Sequence, residues 1–114
     1  MFFLDTHSVI ILFDSGATHN FISGSYALGH GLPIESTKIP YVIKTPGSEI
    51  VATQLLRDAP LMLAGEAYWT TLILLENQGI DVILGIGWMT LHGALINIPS
   101  RTICLNSPTQ GQLC

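Results

Sequence analysis

The sequence contains few charged residues and very few cations. Only four residues are Lys or Arg, against eight Asp or Glu, which gives a formal net charge of −4. Charged residues make up 11% of the chain, less than half of the roughly 25% that is usual in globular domains. Binding to nucleic acid through its phosphates needs clustered cations, so we expect this domain to bind none.

Long hydrophobic segments are also missing. The longest apolar runs, such as residues 9–13, are far shorter than the roughly 18 residues of a membrane-spanning helix, so we expect no membrane association. The two cysteines, Cys104 and Cys114, have neither the spacing of a metal site nor that of a disulfide framework. The sequence also lacks an Asn-X-Ser/Thr glycosylation acceptor. These absences predict a cytoplasmic protein with reduced cysteines.

Apolar residues, by contrast, are abundant. They make up 48% of the 114 residues, which excludes a disordered tail and indicates a subunit interface, because one small domain cannot bury so much apolar surface. The length fits one domain. We predict a domain over residues 1–105, followed by a polar C-terminal tail over residues 106–114.

Short apolar runs, separated by turn residues, predict a mainly β fold with at most two short helices, near residues 21–28 and 88–92. Residues 8–13 are predicted to form one buried strand. Residues 34–44 and 49–57 are predicted to form a hairpin that turns at Thr45-Pro46-Gly47-Ser48, where Pro-Gly suits a type II turn. The other predicted strands are residues 61–63, 68–75, 81–85, 94–98 and 102–105.

The main chemical signal is an acid delivered by an apolar strand into a turn of small residues. It reads Ile10-Ile11-Leu12-Phe13-Asp14-Ser15-Gly16-Ala17. Small residues let the backbone approach closely, and glycine permits unusual dihedral angles. By itself Asp-Ser-Gly is equally compatible with an ordinary turn. A second signal lies downstream, where Asp81-Val82-Ile83-Leu84-Gly85 predicts a buried strand ending in glycine, followed by a short helix.

The two signals in this order resemble the retropepsin family of aspartic proteases, and are most similar to the protease domain of Ty3/gypsy-type retrotransposons. The resemblance rests on Leu-Phe-Asp-Ser-Gly-Ala-Thr-His-Asn-Phe-Ile-Ser at residues 12–23, and on Asp-Val-Ile-Leu-Gly at residues 81–85 with Trp88 and His92 after it. It covers residues 8–105. It implies a closed β-barrel of the acid protease type, one lobe per chain.

The resemblance also implies the chemistry. Asp14 would be the catalytic carboxylate, and since one chain carries one Asp-Ser-Gly, a homodimer would supply the second. The two carboxylates would share a proton and activate a water to hydrolyse a polypeptide substrate, without a cofactor. Residues supporting the active-site loop would be Ser15, Gly16, Ala17, Ile83, Leu84 and Gly85. The substrate flap would be Thr45, Pro46, Gly47 and Ser48.

The sequence departs from the family at a bracing ion pair. Viral relatives carry an Arg just after the glycine of the second motif, paired with an Asp near the active site. Here those positions hold Ile86 and Thr18, and Gly87 stands where the family commonly has an acid. Losing a buried ion pair altogether is often nearly neutral. Because this ion pair is absent, we nevertheless predict that the dimer is weak.

The remaining polar and aromatic candidates favour structural roles. Ser15 lacks the Gly-X-Ser-X-Gly context of a nucleophile, and Asp81 is predicted to be a turn acid. Trp69 and Trp88 are predicted to pack in the core. The four histidines lack metal-ligand spacing, so no metal site is expected; they are His7, His19, His30 and His92.

Three functions stay open at this point. The first is an endopeptidase that processes its own Gag-Pol-type polyprotein, in the cytoplasm or within virus-like particles. The second is a catalytically silent domain of the same fold that acts as a dimerisation or binding module. The third is a cellular retropepsin-like protease with other substrates. Sequences flanking the domain would separate the first from the third.

Overall fold

The computed structural model describes residues 2–45, 47–76, 79–107, 109 and 111–114. The elements in chain order are β1 (Phe2–Leu4), β2 (His7–Val9), β3 (Ile11–Phe13), β4 (Phe21–Ser23), α1 (Gly24–Gly29), β5 (Glu35–Thr45), β6 (Ser48–Leu63), β7 (Glu66–Leu75), β8 (Val82–Leu84), α2 (Ile86–Leu91), β9 (Leu95–Asn97), β10 (Thr102–Ser107) and β11 (Gly111–Leu113). The mainly β class with two short helices is confirmed.

Eight of the strands form one barrel-like sheet. Its order is β2-β1-β6-β7-β4-β8-β3, with β5 paired to β6 outside this path. The 16-residue strand β6 is long enough to pair with β5 near its start and with β1 at its end. β9, β10 and β11 form a separate three-stranded sheet in the order β11-β10-β9.

The core lies inside the barrel-like sheet and under α2. Its most completely buried side chains are Leu4, Ile22, Leu61, Leu63, Leu72, Val82 and Leu84. Trp88 on α2 joins this core, and its indole Nε1 donates a hydrogen bond to Thr70 Oγ1 at 3.0 Å. The Thr70 hydroxyl in turn donates to the Tyr68 carbonyl at 3.0 Å. Every polar atom brought into the core along this chain of contacts therefore has a partner, as burial requires.

Trp69 does not pack in the core, so that prediction is wrong, whereas the prediction for Trp88 is confirmed. Tyr68 and Thr70 on β7 are buried, and Trp69 between them is 68% exposed. Side chains alternate between the two faces of a strand. Once Tyr68 and Thr70 point into the core, Trp69 must point out.

The predicted buried strand over residues 8–13 is instead two short strands, β2 and β3. Ile10 lies between them and is 60% exposed, and Leu12 within β3 is 41% exposed. β3 is the last strand in the order of the large sheet, so among the described residues one of its edges has no partner strand, and the side that carries Leu12 is exposed in the single chain. Residues 9–13 are all apolar, although only some of them are buried here.

The two cysteines form a disulfide, contrary to the prediction. β10 and β11 pair as an antiparallel hairpin, with Leu105 opposite Leu113. This brings the Cα atoms of Cys104 and Cys114 to 4.0 Å from each other. A sequence separation of 10 gave no sign of the pairing, because the second strand of the hairpin is short and polar. β10 also continues through residue 106 and 107, beyond the predicted domain boundary at residue 105.

Among the described residues, every helix is too short or too polar to cross a membrane.

His92 makes the stability of the fold depend on pH. Its ring centroid lies 4.9 Å from that of Tyr68 and 4.5 Å from that of Trp88, and burial lowers its pKa. In the unfolded chain the pKa returns to about 6.5. The unfolded state therefore binds more protons as the pH falls below about 6.5, and stability is lost there.

We therefore expect the melting temperature of the wild type to fall more between about pH 7.5 and about pH 5.5 than that of His92→Gln. Thermal denaturation followed by circular dichroism measures both. His7→Gln, at an exposed histidine on β2, is the control and should behave as the wild type. Parallel curves for wild type and His92→Gln would show that His92 does not carry this pH dependence.

Candidate active site

Asp14 stands at the end of β3, immediately after the pairing of β3 with β8. These two strands run parallel, with Leu12 opposite Ile83 and Phe13 opposite Leu84. The Asp14 amide donates one further hydrogen bond to the Leu84 carbonyl at 2.9 Å. The two sequence motifs are thus adjacent strands, and the acid emerges half-buried where they end.

The small residues that follow Asp14 form a turn around its carboxylate. The Gly16 amide donates to Asp14 Oδ1 at 2.9 Å, and the Ala17 amide donates to the Asp14 carbonyl at 3.0 Å. Ser15 between them is exposed. A Cβ at Gly16 would lie 3.3 Å from Asp14 Oδ1, which is tight. The turn therefore fixes the direction of the carboxylate with backbone groups.

The end of the second motif is hydrogen-bonded to the loop that follows Asp14. The Ile86 amide donates to the Ala17 carbonyl at 2.9 Å, and the Gly85 amide donates to Asn20 Oδ1 at 2.9 Å. Asn20 lies within the stretch that carries the family resemblance, but the sequence gave no reason to assign it a role. Its side chain supplies the acceptor for a backbone N–H that has no strand partner at this point. Asn20 thus holds the loop that follows Asp14 against Gly85.

Gly85 is required by the closeness of this contact. A Cβ at Gly85 would lie 2.6 Å from the Ala17 carbonyl oxygen and 2.7 Å from that of His19. Both atoms are backbone and cannot move without shifting the active-site loop. We expect Gly85→Ala to lower the free energy of unfolding by about 2–3 kcal/mol, as overpacking does, and to reduce any peptidase activity by displacing the Asp14 turn.

Gly87→Ala is the matched control for this substitution. Gly87 lies in α2, and a Cβ there would meet nothing within 4 Å. Alanine is the better helix former, so this variant should be as stable as the wild type or more stable by up to about 0.5–1 kcal/mol. Chemical denaturation measures both variants. Equal stability of Gly85→Ala and Gly87→Ala would contradict the close contact.

Asp81 has a structural role that its prediction as a turn acid did not include. Its Oδ2 accepts a hydrogen bond from the Ile10 amide at 2.8 Å, and its own amide donates to the Ile10 carbonyl at 3.0 Å. The carboxylate thus holds the start of β3 against the start of β8. An acid immediately before a buried strand is the only sequence signal for it, and that signal is weak.

The β5–β6 hairpin is the predicted substrate flap. Thr45 pairs with Ser48 at its end, and Gly47 has a φ of 85°, which suits glycine in the predicted turn. Pro46 lies outside the described residues. Closer to the sheet, Ile43 is buried in a cluster against which Ala17 packs. A residue near the tip of the hairpin therefore belongs to the same apolar cluster as the turn that holds Asp14.

A second contact joins the hairpin to the active-site loop. The ring of His19 lies 5.8 Å from that of Tyr41 on β5, in an edge-to-face arrangement. His19 Nδ1 is also 3.0 Å from Thr18 Oγ1. Thus the loop residues directly after Asp14 are packed against the hairpin that would cover a bound peptide.

An exposed apolar surface adjoins Asp14. Because side chains alternate along a strand, Ile10, Leu12 and Asp14 lie on the same side of β3. A groove of about 460 Å³ runs from Leu12 to the residues around β9. Three side chains that line this groove are 41–80% exposed, and they form the surface called the apolar face below: Leu12, Ile96 and Ile98.

No three His, Cys, Asp or Glu side chains in the described parts of the chain are grouped as a metal site would require.

Comparison with known proteins identifies a family and solved structures of similar fold. The model of the retroviral aspartyl protease family matches residues 1–111. The crystal structure of the retroviral protease-like domain of Ddi1 from Leishmania major is similar to this structure with a TM-score of 0.63 and 20% sequence identity, over 97% of this chain and 85% of that one. No curated protein sequence matches the chain.

Proposed function

The chain belongs to the retroviral aspartyl protease family, and on this premise we propose that it is an aspartic endopeptidase whose active form is a homodimer, with Asp14 of each copy as the catalytic carboxylate. One observation carries the proposal. Asp14 directly follows β3, two residues after the exposed Leu12, so the alternation of side chains would put the acid beside the surface that needs a partner.

A two-fold axis through this surface completes the site. In an isologous dimer the same patch of both copies meets itself, and residues near the axis approach their own counterparts. Asp14 at the edge of the apolar face would then lie close to the Asp14 of the second copy. Ser15, Gly16 and Ala17 would hold each carboxylate from its own side, backed by Ile83, Leu84 and Gly85.

The proposed chemistry uses the two carboxylates in different protonation states. Two carboxylates that lie close together cannot both stay ionised, so the pair retains one proton. The ionised carboxylate takes a proton from a water, and the water oxygen attacks the peptide carbonyl carbon. The protonated carboxylate gives its proton to the carbonyl oxygen, which forms a gem-diol. Collapse of the gem-diol, with proton transfer to the leaving nitrogen, breaks the C–N bond.

Burial of the apolar face supplies the energy of association. Full burial of a Leu or Ile side chain is worth about 1.5–3 kcal/mol. The three members of the face are 41–80% exposed, so each copy contributes on the order of 3–5 kcal/mol before the entropic cost of association.

We propose that the dimer is weak. In the bracing positions of the viral enzymes, Thr18 contacts His19 of its own loop, and Ile86 is apolar and 45% exposed. An ion pair across the loop is therefore impossible at these two positions. The flap segment from Thr45 to Ser48 would close over the substrate in each copy.

The proposed substrate is the Gag-Pol-type polyprotein from which the domain itself would be cut, in the cytoplasm or within virus-like particles. The close match of residues 12–23 to the active-site stretch of Ty3/gypsy-type proteases supports this choice. A cellular role with other substrates, and a silent domain that only dimerises, are the outcomes that the following experiment distinguishes from it.

The test is cleavage of a capsid-like precursor by purified protein. We expect discrete products, with a rate that is higher at about pH 5.5 than at about pH 8, because the pair of carboxylates must retain one proton. Cleavage of a generic peptide mixture but not of the precursor would favour a cellular protease. Failure to cleave either substrate at concentrations where the dimer is present would overturn the proposed activity.

A further inference from the structure

A cavity of about 310 Å³ lies where the large sheet meets the three-stranded sheet. It is lined by Phe2 and Leu63, which are partners in the pairing of β1 with β6, and by Leu105 and Leu113, which are partners in the pairing of β10 with β11. Pockets that bind small molecules have volumes of about 300–1,000 Å³ and mostly apolar walls. This cavity therefore has the size and lining of a site for a small ligand.

Three of the lining side chains belong to the core of the domain. Leu63, Tyr68 and Leu105 are 1%, 3% and 4% exposed, whereas Phe2 and Leu113 are partly exposed. Because packing in the core fixes the buried side chains, this part of the wall exists before a ligand arrives. Binding then loses little conformational entropy in the protein.

Two polar side chains in the lining already have partners within the protein. The Tyr68 hydroxyl donates to the Asn106 carbonyl at 3.2 Å, and Thr102 Oγ1 lies 2.8 Å from Ser100 Oγ. A ligand is not needed to satisfy either hydroxyl. The remaining polar side chain of the lining with strong hydrogen-bond donors is Arg101.

Arg101 brings one positive charge to the cavity. It ends the turn between β9 and β10, where its amide donates to the Ile98 carbonyl at 3.2 Å. The other three Lys or Arg residues all lie within residues 38–57, and Arg57 among them pairs with Glu35. In the described part of the chain, no carboxylate lies within ion-pair distance of Arg101. Its guanidinium can therefore bind the carboxylate of a ligand through two parallel N–H groups.

We propose that this cavity binds a small aliphatic carboxylate, with the aliphatic chain between Phe2 and Leu113 and the carboxylate on Arg101. The apolar walls disfavour a ligand that is polar throughout, because its polar groups would lose their hydrogen bonds to water. The one unpaired cation favours a single negative charge. At about 30 Å³ per non-hydrogen atom, the volume of a molecule in liquid water, the cavity holds about ten such atoms, which is the size of octanoate.

The cavity adjoins the groove of the apolar face but can be distinguished from it. Arg101 lines both. Leu63 and Leu113 line the cavity and not the groove, whereas Leu12 and Ile96 line the groove and not the cavity. In nuclear magnetic resonance spectra, the backbone amides of these two pairs of residues therefore report separately on the two places.

The experiment is calorimetric titration of the protein with sodium octanoate. We expect one molecule to bind per chain with a millimolar or lower dissociation constant, and the amides of Leu63 and Leu113 to shift. Arg101→Gln should raise the dissociation constant at least fivefold, because the charge-assisted hydrogen bonds are lost. Lys38→Gln removes the same charge from β5, outside the cavity, and should bind as the wild type does. Octan-1-ol, which lacks the charge, should bind at least fivefold more weakly, and acetate, which lacks the chain, should give no heat of binding.

Three results would overturn the proposed site. The first is an absence of binding by the wild type at tens of millimolar octanoate. The second is equal affinity of the wild type and Arg101→Gln, with thermal denaturation showing that the variant is folded. The third is a set of shifts confined to Leu12 and Ile96, which would place the octanoate on the apolar face. None of these measurements depends on peptidase activity, so the site and the proposed function are tested independently.

Discussion

We expect peptide hydrolysis to fall by at least about a thousandfold when Asp14 is replaced by asparagine, because an amide can neither take a proton from water nor hold the proton that the pair would share. The amide oxygen of asparagine can still accept the hydrogen bond from the Gly16 amide. The turn therefore keeps its geometry, and the melting temperature should change little. A steady-state assay with a fluorogenic peptide, together with thermal denaturation, measures both effects.

Asp58→Asn is the control for this variant. Asp58 is an exposed residue of β6 with a φ of 47°, a conformation that asparagine tolerates as well as aspartate does. This substitution removes the same charge from the same chain, and it should leave turnover unchanged. Normal turnover by purified Asp14→Asn protein would remove Asp14 from the mechanism.

Ile96→Glu should convert the protein to a folded, inactive monomer. Ile96 is 52% exposed in the single chain, so a carboxylate there can stay in water. In a dimer that covers the apolar face, two such carboxylates would be buried without partners, at a cost of several kcal/mol. We expect the dissociation constant to rise at least a hundredfold, which is about 2.7 kcal/mol, and activity to be lost at micromolar protein concentration.

Leu28→Glu is the matched control for Ile96→Glu. Leu28 lies on α1, outside the apolar face, and it is 73% exposed. The same charge introduced there should change neither the sedimentation coefficient nor turnover. If Leu28→Glu dissociates the dimer and Ile96→Glu does not, then the interface is elsewhere on the molecule.

The fold could be predicted from the sequence where one short run determines one strand. The hairpin of β5 and β6 follows from two β-rich runs around Pro46-Gly47, and β8 and α2 follow from an apolar run that ends at Gly85. These features depend on residues that are neighbours in the chain. The adjacency of Asp14 and Leu84 was also expected, because the family resemblance placed the two motifs together.

The sequence could not show which contacts form between residues that are far apart in the chain. The role of Asn20 depends on the Gly85 amide, 65 residues away, and that of Asp81 on the Ile10 amide, 71 residues away. Burial along β3 was also misjudged, because an apolar run looks the same whether its own chain or a second chain covers it. The disulfide was missed because β11 is too short and polar to be recognised as a strand.

The central claim is that one chain supplies only half of the active site. Its most direct test is the specific activity of the wild-type protein on serial dilution, with sedimentation at the same concentrations under oxidising conditions. The account predicts that specific activity falls in step with the fraction of dimer. Constant specific activity down to concentrations at which only monomer sediments would mean that Asp14 acts without a partner, and would contradict the account.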